Sequence, residues 1–369
     1  MAKLQHQHFI PKSYLKNFAV SKDKSYLVEA KRKGESEPKK KLLSTRDICV
    51  SKNLYTLSHK EGDERYALET YYAEEIDKVY PEIYGWLTDA NLTKITAEQR
   101  GKIIMTSMSL FFRTPKFLNL NQRMLNTMLD YAIRNFKDKN GNVKCRLENL
   151  SLDFNVKDID EVRERIKLST KLEFLQNHLK NWHEFIKFKL RAAIVVTRLY
   201  DDSELITSDN PVIMHSVNGN RFNVFDPTNM ISLPLDNKHY LMIYPNTEEA
   251  MLDTIYRTER DNWFSLTTNL QVEQSSEDWI FGKPGSVYKH ISDQLKYNAE
   301  TPENIQAVTD MARRAKDGME LAKIMEVYGF PHQKVADKVK EMLSYKIHRE
   351  DREVLNIAHR LKEFGFSTE

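Results

Sequence analysis

Ser208-Asp209-Asn210-Pro211 closes the apolar run Leu205-Ile206 and sets a hydroxyl, a carboxylate and an amide in consecutive positions. Two roles fit those groups. Asn-Pro is a turn signal, and Ser and Asp bond their own backbone, which describes a capped turn. A strand end that presents the same groups into a cleft instead offers hard oxygen ligands to Mg2+ or Mn2+, or hydrogen bonds to a substrate. His6 and His8 alternate, so in an extended segment both face one side. Two histidines do not complete a zinc site, which leaves a hydrogen-bonding or acid/base role for a single imidazole.

The most uneven charge lies elsewhere. Residues 31–41 (KRKGESEPKKK) hold six cations and two carboxylates, a local +4 in a chain of formal net charge +3. The stretch follows Tyr26-Leu27-Val28 and precedes Leu42-Leu43, with Gly34 and Pro38 between, so it is expected at the tip of a β-hairpin or loop. Lys39, Lys40 and Lys41 there suit attraction of a nucleic-acid or nucleotide phosphate, while the near-neutral remainder argues against a broad nucleic-acid surface. No P-loop, GxGxxG, GxSxG or HExxH occurs, which weakens the motor, dinucleotide, α/β-hydrolase and zincin readings.

The elements that must position these groups follow from periodicity. Residues 8–19 read as an extended entry into a short helix, with Pro11 at its first position and Tyr14, Leu15 and Phe18 on one apolar face. Short strands are expected through 25–57. Arg65–Leu87 has the spacing of a long amphipathic helix that Pro81 should kink or split. Thr96 is a candidate N-cap for a second helix; Thr114-Pro115 should end it just past Arg113, and a third helix resumes through Phe136. Residues 137–156 read as loop around Asn140-Gly141-Asn142, and 159–189 as helix. Ala192–Leu199 is a β-branched strand with a partner expected from Glu204 to Ser208, and 231–235 and 240–244 add two more. Thr301-Pro302-Glu303 is a helix start, and the 69 residues from there carry twelve Lys plus Arg and twelve Asp plus Glu. The expected architecture is α+β: a mainly helical domain over 1–295 with a small antiparallel sheet, plus a helical C-terminal module over 300–369 that would dock a protein partner.

Composition sets the outer limits. With 40% hydrophobic and 30% charged residues, 369 residues suit one large globular domain or two ordinary ones. Eleven Gly and eleven Pro exclude collagenous and linker-rich classes. The longest apolar runs fall far short of the roughly 20 residues of a membrane span, and Met1–His6 lacks a signal-type apolar stretch. Cys49 and Cys145 form no CxxC and no disulfide framework, so a cytoplasmic protein without membrane contact is expected.

His8-Phe9-Ile10-Pro11 followed by Tyr14-Leu15-Lys16-Asn17-Phe18-Ala19 resembles the opening motif of domain-of-unknown-function family 4238, found mostly in bacteria and their mobile elements. Further patches agree: Ile48–Leu57, Leu68-Glu69 to Ile76-Asp77, Phe112-Arg113-Thr114-Pro115, Leu205–Val212, Ile231–Leu235 and Asn269–Gly282. The likeness covers roughly residues 6–285, and Asp77 stands where the family's helical signature often ends in Glu. The resemblance implies a cleft gathering His8, Glu69, Arg113, Ser208, Asp209 and Asn210. Such a set suits phosphoryl or phosphodiester chemistry: Glu69 and Asp209 hold a Mg2+ or Mn2+ ion, Arg113 binds phosphate, His8 moves a proton, and Ser208 and Asn210 contact substrate. The expected function is a metal-assisted hydrolase or nuclease, with the family's setting suggesting a toxin or antiphage effector. The rival reading is a non-catalytic binding or regulatory module of a multi-protein system. In the tail, Arg352 and His359 loosely match the Arg-x(4 to 6)-His pattern of HEPN-type ribonucleases, with Glu353 where that motif usually has Asn, Asp or His.

Overall fold

A computed structural model describes residues 6–35, 41–57, 60–147, 150–215, 226, 228–246 and 252–298. The chain runs β1 (His6–His8), α1 (Lys12–Leu15), β2 (Val20–Lys22), β3 (Ser25–Arg32), β4 (Lys41–Ser44) and β5 (Val50–Lys52). There follow α2 (Ala67–Tyr72), α3 (Tyr80–Thr88), α4 (Ala97–Phe112), α5 (Pro115–Phe136), β6 (Asn142–Leu147), β7 (Leu150–Asn155) and α6 (Ile159–Lys189). The last third supplies β8 (Ala192–Leu199), β9 (Thr207–Ser208), β10 (Ile213–His215), β11 (Met230–Pro234), β12 (His239–Asn246), β13 (Ile255–Arg260), α7 (Asn262–Ser275), β14 (Trp279–Gly282) and α8 (Ser286–Asn298).

The expectation of a mainly helical domain with one small sheet is overturned. Among the described residues helix accounts for about 47% and strand for about 27%, which makes the fold mixed. One five-stranded sheet has the order β10-β11-β12-β8-β13, antiparallel except for the parallel pair β8–β13; a second runs β2-β3-β14-β9 with β4 also on β3. Strands were missed where their partners are remote, and in one local hairpin. β14 follows a helix closely and finds β3 about two thirds of the chain away, pairing Phe281 with Ala30. The segment 204–208, expected beside β8, pairs with β14 through Thr207 and Ser208. Residues 137–156, read as loop, are the β6–β7 hairpin: Val143 and Leu152 alternate inward against Leu129 and Ala132 of α5 in a small satellite core.

Local signals elsewhere gave the elements they implied. Thr96 caps α4 reciprocally with Gln99, at 3.1 and 2.9 Å. Thr114 caps α5 with Pro115 in its first turn, so Arg113 is the residue on which α4 ends. Pro81 sits in the first turn of α3, and the long helix is split there. Pro11 stands one place earlier than expected, as the extended N-cap of α1. β3 and β4 pair antiparallel, with Lys31, Arg32 and Lys41 of the expected tip in the strands themselves; residues 36–40 lie outside the described residues. The tail from 300 on lies outside the described residues.

The main core joins both sheets to the helices. Trp182 and Phe185 of α6 are fully buried, Trp182 against Tyr71 and Tyr72 of α2 and Phe185 against Phe112 of α4, and a buried aromatic of this size contributes about 2–3 kcal/mol. Tyr14, also fully buried, ties α1 to both sheets, with its hydroxyl 2.6 Å from Thr207 Oγ1 and donating to the Pro234 carbonyl at 2.9 Å. On the other side of β3, buried Glu29 accepts backbone N–H groups from Gly285 and Val287, both at 2.9 Å, and so fixes the start of α8.

Candidate functional site

β1 forms because it pairs antiparallel with β5, His6 opposite Lys52 and His8 opposite Val50. Both histidines line one cleft of about 370 Å3, as their alternation requires. Gln7 between them is buried, and its amide links three segments: Nε2 donates to Glu69 Oε2 at 2.7 Å and to Thr56 Oγ1 at 3.2 Å, while Oε1 accepts the Tyr55 N–H at 2.7 Å. Glu69 of α2 is thereby aimed into the same cleft.

Arg113 enters from the C-terminal end of α4 and is 2% exposed. Its Nη1 donates to Asp77 Oδ1 at 2.6 Å and its Nη2 to the His8 carbonyl at 2.7 Å, while the guanidinium lies 4.4 Å from the Tyr72 ring centre. Tyr55 Oη donates to the Arg113 carbonyl. Asp77 reaches Arg113 from a π-helical turn, Ala73–Asp77, closed by Lys78 N–H to Ala73 O at 3.2 Å. Such a turn inserts one residue into a helix and rotates the side chains beyond it to a new bearing. Both Nη atoms of the guanidinium are therefore engaged within the fold, and Arg113, itself part of the cleft lining, ties Asp77 to β1. Lys12, at the cleft mouth, is exposed and forms no ion pair among the described residues.

The electrostatics separate the two titratable groups. Burial, helped by the nearby charges of Lys12 and Arg113, pulls His8 down from 6.5 to about 4. It is neutral at pH 7. Its Nε2 lies 3.3 Å from the Thr45 carbonyl, which can only accept, so the ring hydrogen sits on Nε2 and Nδ1 carries the free lone pair. Glu69 moves the other way: burial raises it, against the Gln7 hydrogen bond that lowers it.

Asp209 does not join this cleft. Its carboxylate accepts the backbone N–H groups of Glu277 (2.8 Å), Asp278 (2.7 Å) and Trp279 (3.1 Å), clamping the turn into β14. Burial raises its proton affinity while those three donors lower it. Ser208 Oγ accepts the Asn210 N–H at 3.1 Å, and Asn210 Nδ2 donates to the Ser275 carbonyl at 3.0 Å. All three residues are buried. They form the capped turn, and Asp209 borders a different cleft, of about 380 Å3, shared with Phe9, Val50 and Trp279. Glu69 and Asp209, expected to share a metal ion, thus face separate clefts. Among the described residues no group of three His, Cys, Asp or Glu is arranged to hold a metal. Lys41 is exposed on β4; Lys39, Lys40, Arg352 and His359 lie outside the described residues.

Sequence reasoning assigned no functional role to Lys12, Tyr55 or Tyr72, which line the cleft, or to buried Gln7, which braces it. Gln7 alone left a signal, as the inward residue of an alternating strand.

A family model described as "Protein of unknown function (DUF4238)" matches residues 6–286. No curated protein and no solved structure matches. Among the described residues no helix is long and apolar enough to cross a membrane.

Proposed function

The chain belongs to the DUF4238 family, and from the geometry of its histidine-lined cleft we propose that it is an acid/base hydrolase of a phosphate-containing substrate, of nuclease or phosphodiesterase type. The observation that carries this reading is the company His8 keeps. A neutral imidazole and a carboxyl of raised proton affinity line one cleft beside an exposed lysine. In the reaction a hydroxyl oxygen attacks phosphorus as its proton passes to His8 Nδ1, and the leaving oxygen departs with the proton of Glu69. Lys12 neutralises the phosphoryl group. An anion beside Lys12 also offsets part of the positive field that holds His8 down, so the imidazole becomes a better base when substrate is present. Arg113 and Gln7 are positioning residues for His8 and Glu69.

This reading gives no role to the Glu69–Asp209 metal pair, because the two side chains border different clefts. Two unpaired cysteines, Cys49 and Cys145, fit a reducing compartment, and we place the protein in the cytoplasm. A nucleolytic activity there would suit a toxin or antiphage effector.

The test incubates purified protein with RNA, DNA and nucleotides, in chelator and in Mg2+ or Mn2+, beside His8→Ala and Glu69→Gln. The expected result is turnover in chelator that both substitutions reduce by about 100-fold or more, on the order of a lost acid or base catalyst. Turnover unaffected by either substitution sinks the assignment. Absence of turnover under every condition moves the chain to the rival class, a binding module.

A further inference from the structure

The second cleft has a different chemistry, and it is built by strand register. Lys41 and Phe281 both oppose Ala30, and Leu43 opposes Val28, so Lys41, Leu43, Phe281 and, two residues from Phe281, Trp279 share one face of the β3 sheet. Leu43, Trp279 and Phe281 border the cleft, and Phe9 and Ile48 close it from the N-terminal ribbon. The Trp279 and Phe281 rings are parallel within 10°, with centres 6.5 Å apart.

Among the described residues, the charged ones lining this cleft are carboxylates: Asp47, Asp209, Glu277 and Asp278. Asp209 is consumed by the backbone clamp, and Glu277 lies 3.9 Å from Lys116. Asp47 and Asp278 are exposed and form no ion pair among the described residues. A cation on an aromatic face beside carboxylates gains from both the ring quadrupole and the charge. The chain supplies its own instance: the Lys41 ammonium stands 5.0 Å from the centre of the Trp279 ring.

We propose that this cleft binds an organic cation, an ammonium or guanidinium group on a short apolar stem, with the stem against Phe9 and Phe281 and the charge between Trp279 and the carboxylates of Asp47 and Asp278. The cation comes either as a free small molecule or as a lysine or arginine side chain of a peptide. The site stands apart from the acid/base cleft and does not depend on its assignment.

Calorimetric titration of the full chain with butylguanidinium, with N-acetyl-arginine amide in a second arm, and with 1-butanol as the uncharged control, tests it. Saturable binding of a cation is expected with at least tenfold preference over butanol. Tighter binding of the small cation or of the arginine derivative identifies the source. The Asp47→Asn/Asp278→Asn double variant should weaken binding at least tenfold without lowering the melting temperature, since neither side chain is engaged in the fold. Lys41→Ala should tighten binding a few-fold by removing a competing charge. Equal binding of butanol and cation, no saturation up to about 10 mM, or affinity unchanged in the double variant would overturn the proposal.

Discussion

Replacing His8 by Asn should flatten the acid side of the stability curve. In the folded chain the imidazole is held from 6.5 down to about 4, first by burial and then by Lys12 and Arg113. Between those values the unfolded chain binds a proton that the folded chain does not. Stability therefore falls as pH drops from 6.5 to 4, and the loss is complete once pH is below the folded value. The full gap from 6.5 to about 4 corresponds to roughly 3.4 kcal/mol at about 1.36 kcal/mol per unit. The ring is partly exposed, and solvent screening reduces the expected loss to about 1.5–2 kcal/mol. Glu69, raised by burial, contributes a slope of opposite sign just above its ordinary value. That slope is common to both proteins and cancels in their difference. The assay is urea unfolding followed by tryptophan fluorescence at half-unit steps from about pH 4 to 7.5. Parallel curves for wild type and His8→Asn refute the argument. A Lys12→Gln variant provides the control: it removes one of the fields acting on His8 and should recover part of the lost stability at about pH 5.

Other perturbations give equally direct readings. Arg113→Met strips Asp77 and the His8 carbonyl of their buried donor and should cost about 3–5 kcal/mol in chemical denaturation. Asp209→Ala orphans three backbone N–H groups and should cost roughly 3–5 kcal/mol; turnover per folded molecule should survive, and its loss in a fully folded variant would restore Asp209 to the reaction. Glu273 is partly buried, which raises its proton affinity, yet His290, Gln294 and Lys31 hold it at about 2. Glu273→Gln should therefore cost about 2 kcal/mol at pH 7, a gap that closes as pH falls from the ordinary carboxylate range through 2, measured by thermal melts across that range. Replacing Lys39, Lys40 and Lys41 by Ala should weaken nucleic-acid binding more at low than at high salt. The melting temperature should stay within a degree or two, because exposed Lys41 contributes little beyond its contact with Trp279.

What was legible in the sequence was local. Thr96 and Gln99 announce a capping box within four residues, Pro115 marks the break after Arg113, and the alternation of His6 and His8 orients both imidazoles. Pairing at a distance left no such trace. β14 reads as four residues after a helix, and nothing in Trp279–Gly282 names β3 as its neighbour. The same blindness affected the candidate site. His8, Glu69 and Arg113 do meet, through Gln7 and Asp77, but Ser208-Asp209-Asn210 carries residue types that serve a turn as well as they serve a cleft. The three N–H groups of the 277–279 turn show Asp209 holding a turn, at the border of a cleft separate from that of His8.

The seat of β3 has a consequence for how this protein is made. One edge of that strand waits for β14, and the carboxylate of Glu29 waits for the N–H of Gly285, 256 residues downstream. A ribosome must therefore extend the chain almost through the whole family-matched span before the sheet built on β3 can be completed. Until then the nascent polypeptide carries an open strand edge and a charged group destined for the interior, both features that recruit chaperones or other strands. Messages truncated before Trp279 would yield chains that cannot close this sheet, and the cell's proteases would meet them as permanently unfinished products.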